Sequence, residues 1–253
     1  MKTIEKKHGY SIAEMPFERD GKHIYGQMYV PDAGNTKYPT VILAHGYSAS
    51  HLSLSYFADY FAQAGFACYV FDFCSGGPNS KSDGTMEGMS VLTEMDDLNA
   101  VIDFVETVDV VDTDYLFLLG ESQGGLVSAL VAAKRPDDIR SLILYYPAFM
   151  IPEVCRNWKG KTLPPFAAQF EGRYIDDGAT VYAYRESAAY PNNVLIVHGD
   201  QDELVDLKYA KQAKEIYRSA ELQIISGGHH GFNGAMAVPI AEHTVEFMRR
   251  NLD

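Results

Sequence analysis

The chain has 253 residues, of which 47% are hydrophobic and 22% are charged. This balance is ordinary for a globular protein and excludes a disordered or fibrous chain. The formal net charge of −13, from 21 Lys and Arg against 34 Asp and Glu, argues against nucleic acid or an anionic membrane as the main partner, because both bind basic surfaces.

The N-terminal part is predicted to form antiparallel strands. Residues 1–8 are basic but have no apolar run behind them, so we expect no secretory signal. Residues 1–30 alternate loosely in polarity, and Asp20-Gly21 is typical of a hairpin turn. We therefore expect two or three strands that end before Pro31. No stretch of the chain reaches the roughly 18 uncharged apolar residues of a membrane span, so no membrane partner is expected.

From residue 40 onward, short apolar runs alternate with segments of helical periodicity. The runs predict strands buried on both faces, at residues 40–44, 67–71, 115–119, 141–145, 194–197 and 222–225. The periodic segments predict helices at residues 54–63, 91–108, 126–133, 207–217 and 240–249. This alternation indicates a mostly parallel sheet with helices on both faces.

One segment interrupts the alternation, at residues 149–190. It contains no clear buried strand but holds several aromatic side chains, and long irregular segments in compact domains are usually functional. We interpret residues 149–190 as a small lid inserted into a core of residues 1–148 and 191–253. The candidate substrate pocket comprises Trp158, Phe166, Phe170 and Tyr174, although these rings equally suit the lid's own core.

The sharpest motif is Gly120-Glu121-Ser122-Gln123-Gly124, which lies between a predicted buried strand and a predicted helix. A G-x-S-x-G sequence in this context is typical of a nucleophile elbow, in which Gly120 and Gly124 allow close backbone contacts and Ser122 projects above the sheet. A phosphate-binding loop is disfavoured, because neither G-x-G-x-x-G nor a P-loop pattern is present.

A nucleophilic serine needs a base and an acid, which follow it in chain order in this architecture. The acid candidates are Asp200, Asp202 and Glu203, and we favour Asp202 because it lies further from the strand end. The base candidates are His229 and His230, and we favour His230, which Gly231-Phe232 follows.

A metal site built from His198, Asp200, His229 and His230 is disfavoured, because the spacing of a zinc motif is absent. We therefore expect neither a metal nor an organic cofactor.

An oxyanion hole requires two backbone N–H groups that face the developing negative charge. Gln123, directly after the nucleophile, is expected to supply one, and Tyr47, in the loop after the first buried strand, the other. The same loop also reads as an ordinary strand-to-helix connection in which Ser50 or Ser53 caps the helix, and the two readings are compatible.

Taken together, these motifs resemble the α/β-hydrolase superfamily. The resemblance runs from about residue 40 to the C-terminus and rests on His45-Gly46, the 120–124 elbow, His198-Gly199-x-x-Asp202 and His230-Gly231-Phe232. It implies a mostly parallel, eight-stranded sheet with helices on both faces. Residues 71–73, 76–84 and 89–94 are further similar to bacterial feruloyl (cinnamoyl) esterases, except that Cys74-Ser75-Gly76 stands where relatives often read Arg-Gly-His-Gly.

The resemblance implies hydrolysis of a small-molecule carboxylic ester through an acyl-enzyme. Alternatives of the same fold are a serine peptidase or amidase, an acylglycerol lipase and a thioesterase, and a non-catalytic binding module is the least favoured. An apolar lid surface would serve a homodimer as well as a substrate. The three cysteines, without C-x-x-C spacing, are expected to be free buried thiols in the cytoplasm.

Overall fold

The computed structural model describes residues 2–252 apart from the side chain of Lys2 and contains eleven strands in that range. The first six strands follow one another directly, and the later strands alternate with helices. Met1 and Asp253, the two ends of the predicted core, lie outside the described residues. The strands are β1 (Lys2–Lys7), β2 (Tyr10–Glu14), β3 (Phe17–Arg19), β4 (Lys22–Ile24), β5 (Gly26–Pro31), β6 (Tyr38–Ala44), β7 (Ala67–Phe71), β8 (Val111–Glu121), β9 (Ser141–Tyr145), β10 (Asn193–Gly199) and β11 (Ala220–Ile225).

The α-helices are α1 (Ser55–Gln63), α2 (Val91–Glu106), α3 (Ser122–Lys134), α4 (Ile151–Trp158), α5 (Arg173–Gly178), α6 (Ala183–Ser187), α7 (Leu207–Ile216) and α8 (Ala237–Arg250). Short 3₁₀ helices are found at His51–Leu54, Met86–Gly88, Pro165–Phe170 and Gly234–Met236. Within residues 2–252, no helix combines the length and the apolar character needed to cross a membrane.

Nine of the described strands form one sheet in the order β1-β2-β5-β7-β6-β8-β9-β10-β11. Six neighbouring strands, in the order β7-β6-β8-β9-β10-β11, pair in parallel. Strands β1, β2 and β5 extend that sheet through antiparallel pairs. The mostly parallel sheet is confirmed, with nine strands instead of the predicted eight. The N-terminal region also holds five strands instead of two or three, with Pro31 inside β5, because the charged strand β1 and the three-residue strands β3 and β4 carry too little apolar alternation to be recognised.

The parallel strands read as continuous apolar runs because both faces of the sheet are covered. Alternate residues of a strand point to opposite faces, and in β9 Leu142 and Leu144 join one buried cluster while Ile143 and Tyr145 join the other. Helices α2 and α3 contribute to the first cluster, and α1 and α8 to the second. This packing fixes the strand ends from which the site is built.

Residues 149–190 lie between β9 and β10 and contain α4, α5, α6 and one 3₁₀ helix. As predicted, the described structure places no strand there. The segment contacts the body of the protein near α2, where Ser90 Oγ donates a hydrogen bond of 2.6 Å to Asp177 Oδ2 of α5.

Candidate active site

Ser122 stands at a sharp junction where β8 ends and α3 begins. Its φ of +52° lies in the left-handed region, which a non-glycine residue adopts at an energetic cost. The flanking glycines make the junction possible. A Cβ at Gly120 would lie 2.3 Å from the carbonyl oxygen of Gly124, and a Cβ at Gly124 would lie 2.3 Å from that of His45. The local geometry is therefore that of an elbow that presents the hydroxyl above the sheet.

Ser122, His230 and Asp202 form a hydrogen-bonded line. The His230 Nε2 atom lies 3.1 Å from Ser122 Oγ, and the His230 Nδ1 atom lies 2.8 Å from Asp202 Oδ2. A carboxylate only accepts hydrogen bonds, so Nδ1 carries the proton and Nε2 is free to accept from the serine hydroxyl. The imidazole is thus held in the tautomer that a general base requires.

The carboxylate of Asp202 is buried and held by several donors. Its Oδ1 accepts from the backbone N–H groups of Leu204 and Val205 at 2.9 and 2.8 Å, and its side chain is 0% exposed. Burial alone would raise the pKa of Asp202, but the hydrogen bonds from His230 and the two N–H groups lower it below its usual value. Asp202 is therefore ionised at neutral pH.

His198 lies beside Asp202, but within residues 2–252 no hydrogen bond joins its ring to Ser122. Its Nε2 donates to the Val205 carbonyl oxygen at 2.8 Å and lies 3.4 Å from Asp202 Oδ2. Burial lowers the pKa of His198, which favours the neutral ring. The ring thus packs against the acid loop as a neutral hydrogen-bond donor.

The alternative acid and base candidates have other partners. His229 Nδ1 lies 2.7 Å from Glu203 Oε1, and both side chains are more than half exposed. Asp200 Oδ1 accepts from the backbone N–H of Gly227 at 2.7 Å. The structure thus brings His230 and Asp202 to Ser122 and places the other three candidates in separate contacts.

The loop after β6 passes close to the nucleophile. A Cβ at Gly46 would lie 3.2 Å from Ser122 Cβ, and His45 Nδ1 donates to the Gly46 carbonyl oxygen at 2.8 Å. The loop therefore places Tyr47 near Ser122, and both residues line the same cavity. Gln123 lies in the first turn of α3, where backbone N–H groups have no intrahelical partner. Of the two candidate caps, Ser50 caps the 3₁₀ helix His51–Leu54, whereas Ser53 has a different partner.

That partner is Glu121, the residue directly before the nucleophile, whose role the sequence did not reveal. Its Oε1 accepts from the Ser53 hydroxyl at 2.6 Å and from the Gly46 N–H at 3.3 Å, and its Oε2 accepts from the Tyr146 hydroxyl at 2.6 Å. The Tyr146 ring lies 4.6 Å from the His230 ring, centroid to centroid. Glu121 thus connects the β6 loop to a ring that packs on the histidine. Its place in the elbow motif was the only signal for it in the sequence.

A second chain of contacts runs from the interior to the helical segment. Gln123 Nε2 donates to Glu94 Oε2 at 2.8 Å, and the Tyr174 hydroxyl donates to Gln123 Oε1 at 2.7 Å. Burial raises the pKa of Glu94 to about 8. The Tyr174 ring also lies 5.9 Å from the Tyr47 ring. Tyr174 therefore contacts the side chains of both residues predicted to form the oxyanion hole.

Separate cavities lie around the site. One of about 320 Å³ contains Ser122 and His230 in its wall. Trp158, Phe166, Phe170 and Tyr174 all line another cavity of about 440 Å³, whose wall does not include Ser122. The structure thus gathers the predicted pocket residues around one apolar space, which shares no lining residue with the cavity at Ser122. Among the described side chains, no group of three or more His, Cys, Asp or Glu is arranged to hold a metal ion.

The chain matches known proteins in sequence and in structure. The family model for serine aminopeptidase S33 matches residues 36–178, more than half of the chain. The structure of Est1E from Butyrivibrio proteoclasticus with bound ferulic acid is similar with a TM-score of 0.84 and 28% identity, covering 94% of this chain and 99% of that one. Acetyl xylan esterase 1 from Thermoanaerobacterium sp. JW/SL YS485 has a TM-score of 0.75 over all of this chain and 87% of that one, and its 17% identity supports the fold alone.

A curated relative is an uncharacterized 31.7 kDa protein of the traX-finO intergenic region of Escherichia coli. It is 35% identical over 97 residues, which is 38% of this chain. The match spans about a third of that relative, or 32% of its length. From the family match and the structural neighbours, this chain belongs to the serine aminopeptidase S33 family and is a hydrolase with the α/β-hydrolase fold.

Proposed function

We propose that the chain is a serine hydrolase that cleaves carboxylic esters through an acyl-enzyme. The observation that carries this proposal is the line from Ser122 Oγ to His230 to Asp202, with distances of 3.1 and 2.8 Å, at a left-handed elbow. Nucleophile, base and orienting acid are the three roles that acyl transfer requires.

In the proposed mechanism, Ser122 Oγ attacks the ester carbonyl while His230 Nε2 takes the hydroxyl proton. The N–H groups of Tyr47 and Gln123 stabilise the resulting oxyanion. His230 then gives its proton to the leaving alcohol oxygen, the carbon–oxygen bond breaks, and the acyl group stays on Ser122. Water then attacks this acyl-enzyme while His230 Nε2 takes its proton. The bond between the acyl carbon and Ser122 Oγ breaks, His230 returns the proton to Ser122 Oγ, and the acid is released. Asp202 stabilises the imidazolium at each stage.

We propose an aromatic acid of the feruloyl or cinnamoyl type as the acyl group. Est1E, whose structure holds ferulic acid, is similar over nearly the full length of both chains. The apolar cavity with Trp158, Phe170 and Tyr174 in its wall offers aromatic surface of suitable size. We further propose that residues 149–190 act as the lid, because Tyr174 of their α5 helix donates a hydrogen bond to Gln123, the residue directly after Ser122.

A serine peptidase or amidase is the second candidate. The family model that matches residues 36–178 is described as a serine aminopeptidase, and amides are cleaved by the same set of groups. A cytoplasmic location is also proposed, from the three free, buried cysteines.

The test is a panel of 4-nitrophenyl acyl esters, methyl ferulate and aminoacyl 4-nitroanilides, with wild type and Ser122→Ala. Ester turnover that the variant lacks is the expected result, and methyl ferulate should be among the better substrates. Faster turnover of the anilides would move the function to the peptidase. Equal rates for wild type and Ser122→Ala would contradict the proposed nucleophile.

A further inference from the structure

The cavity that contains Ser122 carries a negative charge in its wall. Glu121 is one of its lining residues, and the three donors to its carboxylate are all neutral groups, from Gly46, Ser53 and Tyr146. Neutral donors stabilise a carboxylate without cancelling its charge. Among the described residues that line this cavity there is no Lys or Arg.

The position of His230 indicates which part of the substrate this cavity receives. In the proposed mechanism His230 gives its proton to the leaving alcohol, so the alcohol must lie against the imidazole. The cavity is walled on that side by residues 230–233, and Glu121 faces the same space. The larger apolar cavity at Tyr174 lies apart from these groups. The carboxylate is therefore placed toward the alcohol portion of an ester.

We propose that Glu121 determines specificity, so that this cavity favours esters whose leaving alcohol carries a positive charge, such as an ammonium group. This inference rests on the proposed function, because it assigns a side of the same site. A carboxylate a few ångströms from a bound cation, in a cavity partly screened by water, favours the cation by roughly tenfold over a neutral group of the same shape. The same charge disfavours anionic alcohols.

A cationic leaving alcohol also gives a reason for a charged side chain at position 121, where a neutral side chain could make similar hydrogen bonds. A carboxylate directly before the nucleophile opposes the negative charge that develops on the substrate oxygen. A neutral Gln in its place would avoid that repulsion. Its carbonyl oxygen could accept from Gly46 and Ser53, and its amide group could donate to the Tyr146 hydroxyl, which also accepts hydrogen bonds. A cationic leaving group offsets the repulsion, which gives the carboxylate a use in the reaction.

The test compares two acetate esters with alcohols of nearly equal shape, 2-(trimethylammonio)ethyl acetate and 3,3-dimethylbutyl acetate. The readout is the ratio of their kcat/KM values, because a general loss of activity cancels in it. Wild type should favour the cationic ester, and Glu121→Gln should lower the ratio about tenfold. Ser53→Ala removes one donor but keeps the carboxylate, and Glu246→Gln removes an exposed carboxylate of α8. Both should leave the ratio within about twofold of wild type.

An unchanged ratio in Glu121→Gln, or an equal fall in Ser53→Ala, would overturn the inference while leaving the esterase proposal in place. Absence of any Ser122-dependent turnover of the neutral ester would instead overturn the proposed function. Inhibition of wild type needs no variant and covers the case in which Glu121→Gln does not fold. Choline should compete with a neutral ester at a concentration several-fold lower than 3,3-dimethylbutanol does, and the reverse order would contradict the proposal.

Discussion

Glu94 should make the stability of this protein depend on pH in a direction opposite to that of an ordinary acid. Its side chain is fully buried in α2, where Oε2 accepts from Gln123 Nε2 and Oε1 has no partner among the described residues. Burial raises its pKa from the usual 4.5 to about 8. The folded protein therefore keeps the proton over a range of pH in which the unfolded chain has released it.

The sign and the size of the effect follow from this difference. The unfolded chain binds fewer protons than the folded chain between pH 4.5 and about 8, so the free energy of unfolding falls by about 1.4 kcal/mol for each pH unit in that window. The total loss attributable to Glu94 is about 5 kcal/mol, complete only above the folded-state pKa. Below pH 4.5 the group contributes no such loss.

Glu94→Gln removes this titration while keeping an acceptor for Gln123. At low pH the variant should be less stable than wild type by about 1–3 kcal/mol, because its amide places an extra N–H donor in the interior. As pH rises from 4.5 to 8, the difference should shrink and then reverse in favour of the variant. Urea unfolding monitored by circular dichroism at several pH values from 5 to 9 measures this course.

Glu246→Gln provides the matched control, since the same chemical change on the exposed surface of α8 should leave the pH dependence close to that of wild type. The neighbouring Asp97, whose pKa is raised to about 6 mainly by burial, titrates in both proteins and largely cancels in the comparison. A constant difference between Glu94→Gln and wild type across pH 5–9 would refute the reasoning.

Three further results are expected. Asp202→Asn should lower kcat by roughly 10³–10⁴-fold without loss of fold, because an amide no longer fixes the imidazole tautomer. His229→Ala should change kcat less than threefold, and comparable losses in both variants would contradict Asp202 and His230 as the acid and base. Gly124→Ala should lower the free energy of unfolding by more than about 3 kcal/mol in thermal or urea denaturation, since its methyl group would meet backbone oxygens at 2.3 and 2.4 Å. Tyr174→Phe should lower kcat several-fold with little change in protein stability, because Gln123 Oε1 loses its hydrogen bond while Nε2 still donates to Glu94. The exposed Tyr182→Phe should have no effect, and a kcat unchanged in both variants would show that the Tyr174 contact is dispensable.

The parts of the fold that the sequence predicted best are those with a strong local signal. Strands β7 and β9 were predicted at their observed bounds, because each is a continuous apolar run buried on both faces of the sheet. Helix α3 begins at Ser122 although we predicted its start near residue 126. Ser-Gln-Gly-Gly is a poor helix-forming sequence, and the packing of the elbow overrides this local preference.

The candidate site shows the same division between local and long-range information. Ser122, Asp202 and His230 could be proposed because each follows a recognisable strand in a fixed order. The contact between Ser53 and Glu121 spans 68 positions, and that between Glu94 and Gln123 spans 29. The periodicity of a sequence does not indicate contacts between such distant residues, so the contacts of Glu121 and Glu94 could be identified only from the three-dimensional structure.

Trapping the acyl-enzyme intermediate tests most directly whether Ser122 carries the acyl group. Enzyme mixed with 4-nitrophenyl acetate is quenched in acid during turnover, and its peptides are mapped by mass spectrometry. We expect one added acetyl group on the peptide that contains Ser122, and none on the corresponding peptide of Ser122→Ala. An active enzyme that carries the acetyl group on another residue would contradict Ser122 as the nucleophile. The same holds if no residue carries the acetyl group under conditions that give a burst of 4-nitrophenol release.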